Sequence, residues 1–200
     1  MRLHDFTGSG NGHKVRLLLS NQGRSFELVE HNILKGETHT PEFLTRNPGG
    51  KIPVLETGDG RYLPESNAIL WYLAEETDFL PDDAWSRAEA LRWMFFEQYS
   101  HEPFIAVARF WLHFVEMTPE QEVQLVEKQT RGYQALDVME QHLTSAYWFA
   151  GGRYSIADIA LYGYTHVAHE GGFDLADYPA VRAWLERVGA QPGHIMMEPH

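Results

Sequence analysis

Gly50-Lys51-Ile52-Pro53-Val54-Leu55-Glu56-Thr57-Gly58-Asp59-Gly60-Arg61-Tyr62-Leu63-Pro64-Glu65-Ser66 carries the pattern on which the fold turns. Two short runs, Pro53 to Glu56 and Arg61 to Leu63, flank Thr57-Gly58-Asp59-Gly60, where the Asp-Gly pair marks an antiparallel hairpin. Ser66 then opens a helix that the pattern carries through Glu76. Upstream, Thr40 and Pro41 read as cap and first residue of a short helix over Glu42 to Thr45, which Asn47-Pro48-Gly49-Gly50 stops. Further back, Arg2 to Phe6 reads as a strand and Thr7 to Gly12 as a Gly-rich loop. Val15, Leu18, Leu19 and Gln22 follow at helical spacing up to Gly23, and Phe26 to Glu30 is a second strand. A strand, a crossover helix and a strand make a βαβ unit whose two strands run parallel. The order β-α-β-α-β-β-α defines a small α/β domain over residues 1–78, with Thr77 to Asp83 as linker.

Beyond Trp85 the pattern is helical throughout, so the fold class is α/β plus all-α, with an all-helical domain over 85–200. One long helix is predicted to about His113. Thr118-Pro119-Glu120-Gln121 opens the next with a capping box, and Val123, Val126, Tyr133, Leu136, Met139 and Leu143 give it an apolar stripe. Ser155-Ile156-Ala157-Asp158 starts a third helix with Asp158 as a capping residue, and Pro179 to Val188 is the last.

Composition narrows the chemistry. At 44% hydrophobic and 13% aromatic the 200 residues bury ample core, and no run approaches the ~18 apolar residues of a membrane span. Asp5 falls where a signal peptide would carry its apolar stretch, so the expectation is a soluble, cytoplasmic protein without a membrane partner. The chain has no cysteine, which removes disulfides, zinc-thiolate sites and any thiol nucleophile of its own. The net charge of -12 argues against nucleic acid as the main partner. Residues 1–80 hold 8 basic and 11 acidic residues, net -3, and the remaining 8 basic and 17 acidic give -9. The first domain is therefore the better host for a small anion.

Ser9-Gly10-Asn11-Gly12-His13-Lys14 lies between first strand and first helix, where free amides and the helix dipole favour an anion. Its glycines lack the G-x-G-x-x-G spacing of a dinucleotide site. Pro53 at the start of a strand can be a trans turn proline. It can also be cis, which would leave the Ile52 backbone open to an extended peptide. In Glu65-Ser66-Asn67, Ser66 caps a helix whose N-terminus can take a carboxylate, and Glu65 beside it can take an ammonium. His166, His169 and Glu170 are spaced as structural residues and no metal is expected.

These three features in this order resemble the soluble glutathione S-transferase superfamily, and within it the bacterial nu-type enzymes. The resemblance rests on N-G-H-K at Asn11 to Lys14, G-K-I-P-V at Gly50 to Val54, P-E-S-N-A-I-L-W-Y-L at Pro64 to Leu73 and S-I-A-D at Ser155 to Asp158. It departs at Ser9, where the nu-type motif carries threonine. It implies a thioredoxin-like first domain that binds glutathione as co-substrate. Ile52 would pair with the cysteinyl unit beside a cis Pro53, Glu65 and Ser66 would hold the γ-glutamyl end, and Lys51 and His39 would lie at the glycyl end. Ser9 and Asn11 would meet the sulfur as catalytic residues, with Thr7 an alternative donor and His13 on the helix surface. Phe104, Val107, Ala108 and Trp111, with Tyr99 upstream, would line an acceptor pocket between the domains. The resemblance also implies a homodimer packed through the helix after Ser66 and the first long helix.

A free cysteinyl thiol near 8.5 is only about 3% thiolate at pH 7, and one near 6.5 about three-quarters, a difference of roughly 2.7 kcal/mol. A helix N-terminus supplies about 0.3–1 kcal/mol and a hydrogen bond to a charged acceptor roughly 1.5–3, so neutral donors suffice. The tyrosine-type and cysteine-type mechanisms of other branches lack their residues here. The activities implied are glutathione transfer to an electrophile and glutathione-dependent disulfide or peroxide reduction. The alternative is a non-catalytic interaction module of the same fold.

Overall fold

β1 (Arg2–Asp5) is the strand on which the first unit is built. It runs parallel to β2 (Glu27–Glu30), with Leu3 opposite Leu28, and antiparallel to β3 (Val54–Glu56), with Leu3 opposite Leu55. β4 (Tyr62–Pro64) pairs antiparallel with β3 and completes the order β2-β1-β3-β4. The parallel pair encloses α1 (Gly10–Asn21), and α2 (Pro41–Arg46) and α3 (Ser66–Ala74) follow. The computed structural model describes residues 1–197.

This is the thioredoxin-like arrangement that the resemblance implies, with shifts at the element ends. α1 starts at Gly10, inside the stretch read as loop, because the Ser9 side chain caps it. Two 3₁₀ turns, Ile33–Lys35 and Glu37–His39, fill a segment for which the sequence pattern predicts nothing. Leu3 is buried with Val15, Leu18, Ile69 and Leu73, and α1 packs on α3. The opposite face of β1 is polar. His4 Nε2 lies 3.0 Å from Glu56 Oε2, His4 Nδ1 lies 3.0 Å from His31 Nε2, and the Arg2 guanidinium donates to Glu56.

The second unit runs from Asp78 to Ala190, and residues 191–197 belong to the first. The tail was expected in the helical domain. Instead Asn21 Nδ2 donates to the Pro192 carbonyl at 2.8 Å, and the Cβ of any side chain at position 193 would come within 2.6 Å of the Ser20 carbonyl oxygen. In the helical unit the long helix to His113 is interrupted. α4 (Ala84–Phe96) passes through a π turn, Glu97–His101, into α5 (Glu102–His113). Pro103 is the cause, since it offers no N–H and its ring crowds the carbonyl four residues back. α6 (Pro119–Leu143) has its capping box as expected, but its apolar stripe is buried only from Gly132 onward, and Val123 and Val126 are exposed.

α7 (Ile156–Thr165) and α8 (Pro179–Gly189) close the unit around Asp158. Its Oδ2 accepts from Ser155 N at 3.0 Å and Ser155 Oγ at 3.1 Å, and its Oδ1 accepts from Phe149 N at 3.2 Å and Trp184 Nε1 at 3.0 Å. Burial pushes the carboxyl up to about 7, while the bonds from Trp184 and Phe149 pull the other way. Asp158 thus joins three segments as well as capping a helix. Asp158→Ala strands buried donors on Phe149, Ser155 and Trp184, and should destabilise the protein by roughly 3 kcal/mol in denaturant unfolding. A loss under ~1 kcal/mol would reduce it to an ordinary cap.

Candidate active site

The residues singled out in the first unit converge where α1, α3 and the turn before β3 begin. Ser9 is the N-cap of α1, and its Oγ accepts from Gly12 N at 3.3 Å. A hydroxyl that accepts still carries a hydrogen to donate, and the capped amide is itself among the outward-facing donors of a helix start. Thr7 is differently placed. Its N–H donates to Glu30 at 3.0 Å and its hydroxyl to the same carboxylate at 3.2 Å, so the alternative donor is already committed.

Asn11 is the second residue of α1. Its Oδ1 accepts from Lys14 Nζ at 2.7 Å and from Ser66 Oγ at 3.2 Å. An amide oxygen with two donors on it is full, so Asn11 can act on an anion only through its NH₂. The contact with Ser66 joins the heads of α1 and α3. It also corrects the role given to Ser66, which is the first residue of α3 and not its cap. Glu65 holds the cap position without a side-chain bond, at φ 72° and ψ 109°. A non-glycine residue in that region costs about 1–3 kcal/mol and persists where the surroundings demand it, which is common at ligand sites.

The turn before β3 is braced by one side chain. Asn47 Nδ2 donates to the Lys51 carbonyl at 2.8 Å, its Oδ1 accepts from Gly49 N at 2.9 Å, and Gly50 N donates to the Asn47 carbonyl at 3.0 Å. The Ile52–Pro53 bond is cis. Neither the N–H nor the carbonyl of Ile52 is hydrogen-bonded among the described residues. The β3–β4 ladder pairs Val54 with Pro64, so Ile52 on one strand and Glu65 and Ser66 on the other lie just beyond its last rung. His39 is exposed, and its ring occupies the space beside Gly50, whose Cβ would be 3.1 Å from His39 Nε2. At φ 62° that position suits glycine for its backbone as well.

Asp5 and Arg16 support this constellation from beneath, and sequence patterning gave no sign of either. Asp5 is buried, paired with Arg16 Nη1 at 3.0 Å, and Arg16 Nη2 donates to the Thr7 carbonyl at 2.8 Å. A Cβ on residue 12 would fall 1.8 Å from Asp5 Oδ1, which is why a glycine stands in the first turn. His13, expected on the helix surface, is buried instead. Lys14 is buried too, and its role with Asn11 is not legible from spacing.

Of the residues proposed for an acceptor pocket, all in the helical unit, Ala108 is fully buried. Val107 and Trp111 are half-buried. Tyr99 and Phe104 line a cleft of about 730 Å³ against α6, together with Phe96, Arg131 and Val138. Lys128 Nζ stands 5.4 Å from the Phe104 ring centre and 5.9 Å from that of Trp111. The His166, His169 and Glu170 group disperses. His166 stacks on Tyr162 and Glu170 pairs with Arg109, and no metal-binding group occurs among the described residues. Nor does any described helix have the length and apolarity to cross a membrane.

Comparison with known proteins bears on the family and the fold. Residues 1–75 match the glutathione S-transferase N-terminal domain and residues 93–192 the C-terminal domain. The disulfide-bond oxidoreductase YfcG of Escherichia coli is 32% identical, with 94% of this chain and 89% of that protein aligned. A glutathione S-transferase structure from Pseudomonas fluorescens superposes with a TM-score of 0.96 at 49% identity, covering 99% of this chain and 98% of that one. A glutathione transferase structure from Burkholderia graminis with two glutathione molecules bound per subunit aligns at TM-score 0.82 and 30% identity, over 96% and 84% of the two chains.

The buried Asp5 generates a pH dependence. Burial, outweighing Arg16, raises its carboxyl from 3.8 to about 7, so between those values the folded chain holds a proton that the unfolded chain has released. This contribution to stability is present at the acidic end of the window and is lost as pH rises through 7. The stability margin of the wild type over Asp5→Asn should therefore shrink between pH 5 and 8 in urea unfolding, and parallel profiles would contradict the assignment.

Proposed function

The chain belongs to the glutathione S-transferase family, and we propose that it activates the thiol of glutathione for attack on a small electrophile, or on a disulfide or peroxide. The observation that carries this reading is the Ser9 hydroxyl at the head of α1, which accepts from Gly12 and keeps its hydrogen for an outside acceptor. In a chain without cysteine the reactive sulfur must arrive with the ligand.

In this reading the thiol loses its proton to solvent, and the anion is held by Ser9 Oγ–H and the Asn11 NH₂ within the field of the helix start. Ile52 offers its unpaired N–H and carbonyl to the cysteinyl backbone, as one strand pairs with another. Glu65 takes the γ-glutamyl ammonium, the α3 head at Ser66 takes its carboxylate, and Lys51 with His39 meets the glycyl carboxylate. With an electrophile, a C–S bond forms while the leaving group departs with its electron pair. With a disulfide, the S–S bond breaks and the departing thiolate is protonated. A second thiol must then release the mixed disulfide, because the protein supplies none. YfcG, a disulfide-bond oxidoreductase by name, favours measuring that activity first. Among the proposed acceptor-contacting residues, Tyr99, Phe104, Val107 and Trp111 keep side chains open enough to serve.

Isothermal calorimetry with glutathione, followed by turnover on a chloronitroaromatic acceptor and on a small disulfide, tests the reading. Ser9→Ala should raise the pKa of bound thiol by about one unit, seen as thiolate absorbance against pH. Glu65→Gln should weaken binding about tenfold and leave that titration in place. Absence of measurable affinity in the wild type would favour a non-catalytic module.

The homodimer is part of the same proposal. Trp85 and Phe95 are 77% and 70% exposed along α4, far more apolar ring surface than a lone helix needs. Light scattering should give twice the 23.0 kDa chain mass. Phe95→Glu should shift it toward one, and a wild-type monomer would end the idea.

A further inference from the structure

Lys14 is fully buried, yet it stands one helical turn inside α1, directly behind Asn11. Its Nζ lies 2.7 Å from Asn11 Oδ1 and 3.5 Å from Ser66 Oγ, and Ser66 Oγ lies 3.2 Å from the same Oδ1. The three side chains close a triangle across the heads of α1 and α3. Their hydrogen-bonding capacities are unequal. A hydroxyl donates and accepts, and a carboxamide does both from opposite ends, but a lysine ammonium only donates.

That inequality favours one orientation of Asn11 over the other. With Ser66 alone, either end of the amide can face the hydroxyl, and the terminal torsion of asparagine is broad and roughly two-fold. With Lys14 present, only the oxygen can face inward, because an NH₂ set against an ammonium would oppose donor to donor. The NH₂ is then at the opposite end of the carboxamide.

We propose that Lys14 is a positioning residue that holds the Asn11 carboxamide in a single orientation, so that its NH₂ and not its oxygen meets the anion at the head of α1. Naming that anion as the glutathione sulfur rests on the function proposed above; the orientation of Asn11 does not. A flipped amide would present an oxygen to a thiolate and repel it. Lys14 therefore acts on the thiol through Asn11, without contact of its own.

The test compares wild type, Lys14→Met, Asn11→Ala and the double variant by titration of bound glutathione thiol. Lys14→Met should raise the thiol pKa by about half to one unit, comparable to Asn11→Ala. The double variant should shift no further than Asn11→Ala alone, since the lysine has nothing left to orient. Lys14→Arg, a donor-only side chain, should titrate like wild type, whereas Lys14→Gln, which can donate or accept, should shift upward. These two also serve if Lys14→Met does not fold. An unshifted Lys14→Met or Lys14→Gln, or shifts that add in full in the double variant, would overturn the proposal. A readout without glutathione separates it from the function itself. In heteronuclear NMR of the free protein the Asn11 side-chain NH₂ should give one sharp pair of signals in the wild type, and that pair should move or broaden in Lys14→Gln as the amide exchanges between its two orientations. An NH₂ signal unchanged by that substitution would overturn the orientation whether or not glutathione binds.

Discussion

The start of α1 is the constraint to which the first unit answers. Ser9 stops the chain's extended run and accepts the Gly12 amide, while the Asp5 carboxyl fills the space where residue 12 would otherwise carry a side chain. A helix begun in this way brings its outward amides, a hydroxyl hydrogen and a carboxamide to one small volume at the end of β1. An anion placed there would meet groups that need not move or ionise to stabilise it, which keeps reorganisation small. If the helix began a residue later, Ser9 would no longer cap and Asn11 would no longer sit against Ser66.

Around that point the unit divides its work between rigid and polar supports. Leu3 and the apolar faces of α1 and α3 hold one side of the sheet. On the other, Arg2, Glu56, His4 and His31 form a hydrogen-bonded row that ties β1 to β3 and to the end of β2. Asn47 performs a similar service with three bonds in the turn that leads to Ile52. The backbone groups offered to a ligand are thus set by side chains that do not themselves face it. The helical unit relies on the same device at Asp158, where one carboxylate satisfies donors from three segments.

Much of this was legible from local signals, because those signals are short-range physics. The Asp-Gly hairpin, the caps at Thr40, Thr118 and Ser155, and the βαβ opening each depend on neighbours a few residues apart, and each element formed close to its expected place. The misreadings share a cause as well. Val123 and Val126 fit a helical stripe but find no core to cover, Pro103 perturbs a helix whose periodicity continues through it, and the Pro192 carbonyl is held by Asn21, 171 residues upstream. In each case the outcome was set by a partner that periodicity does not contain.

The same division holds within the site. Residue types and their order alone showed that the chain carries no thiol and singled out the first helix start, Ile52, Glu65 and Ser66 as candidates for one site, since composition and local backbone chemistry travel with the sequence. Only the tertiary structure decided which groups remain available. Thr7 is taken by Glu30, Ser66 is turned toward Asn11, and Lys14 lies buried behind them both. A hydrogen bond has direction and a limited number of partners, and those partners are chosen by folding across distances of 23 to 55 residues that no local pattern encodes.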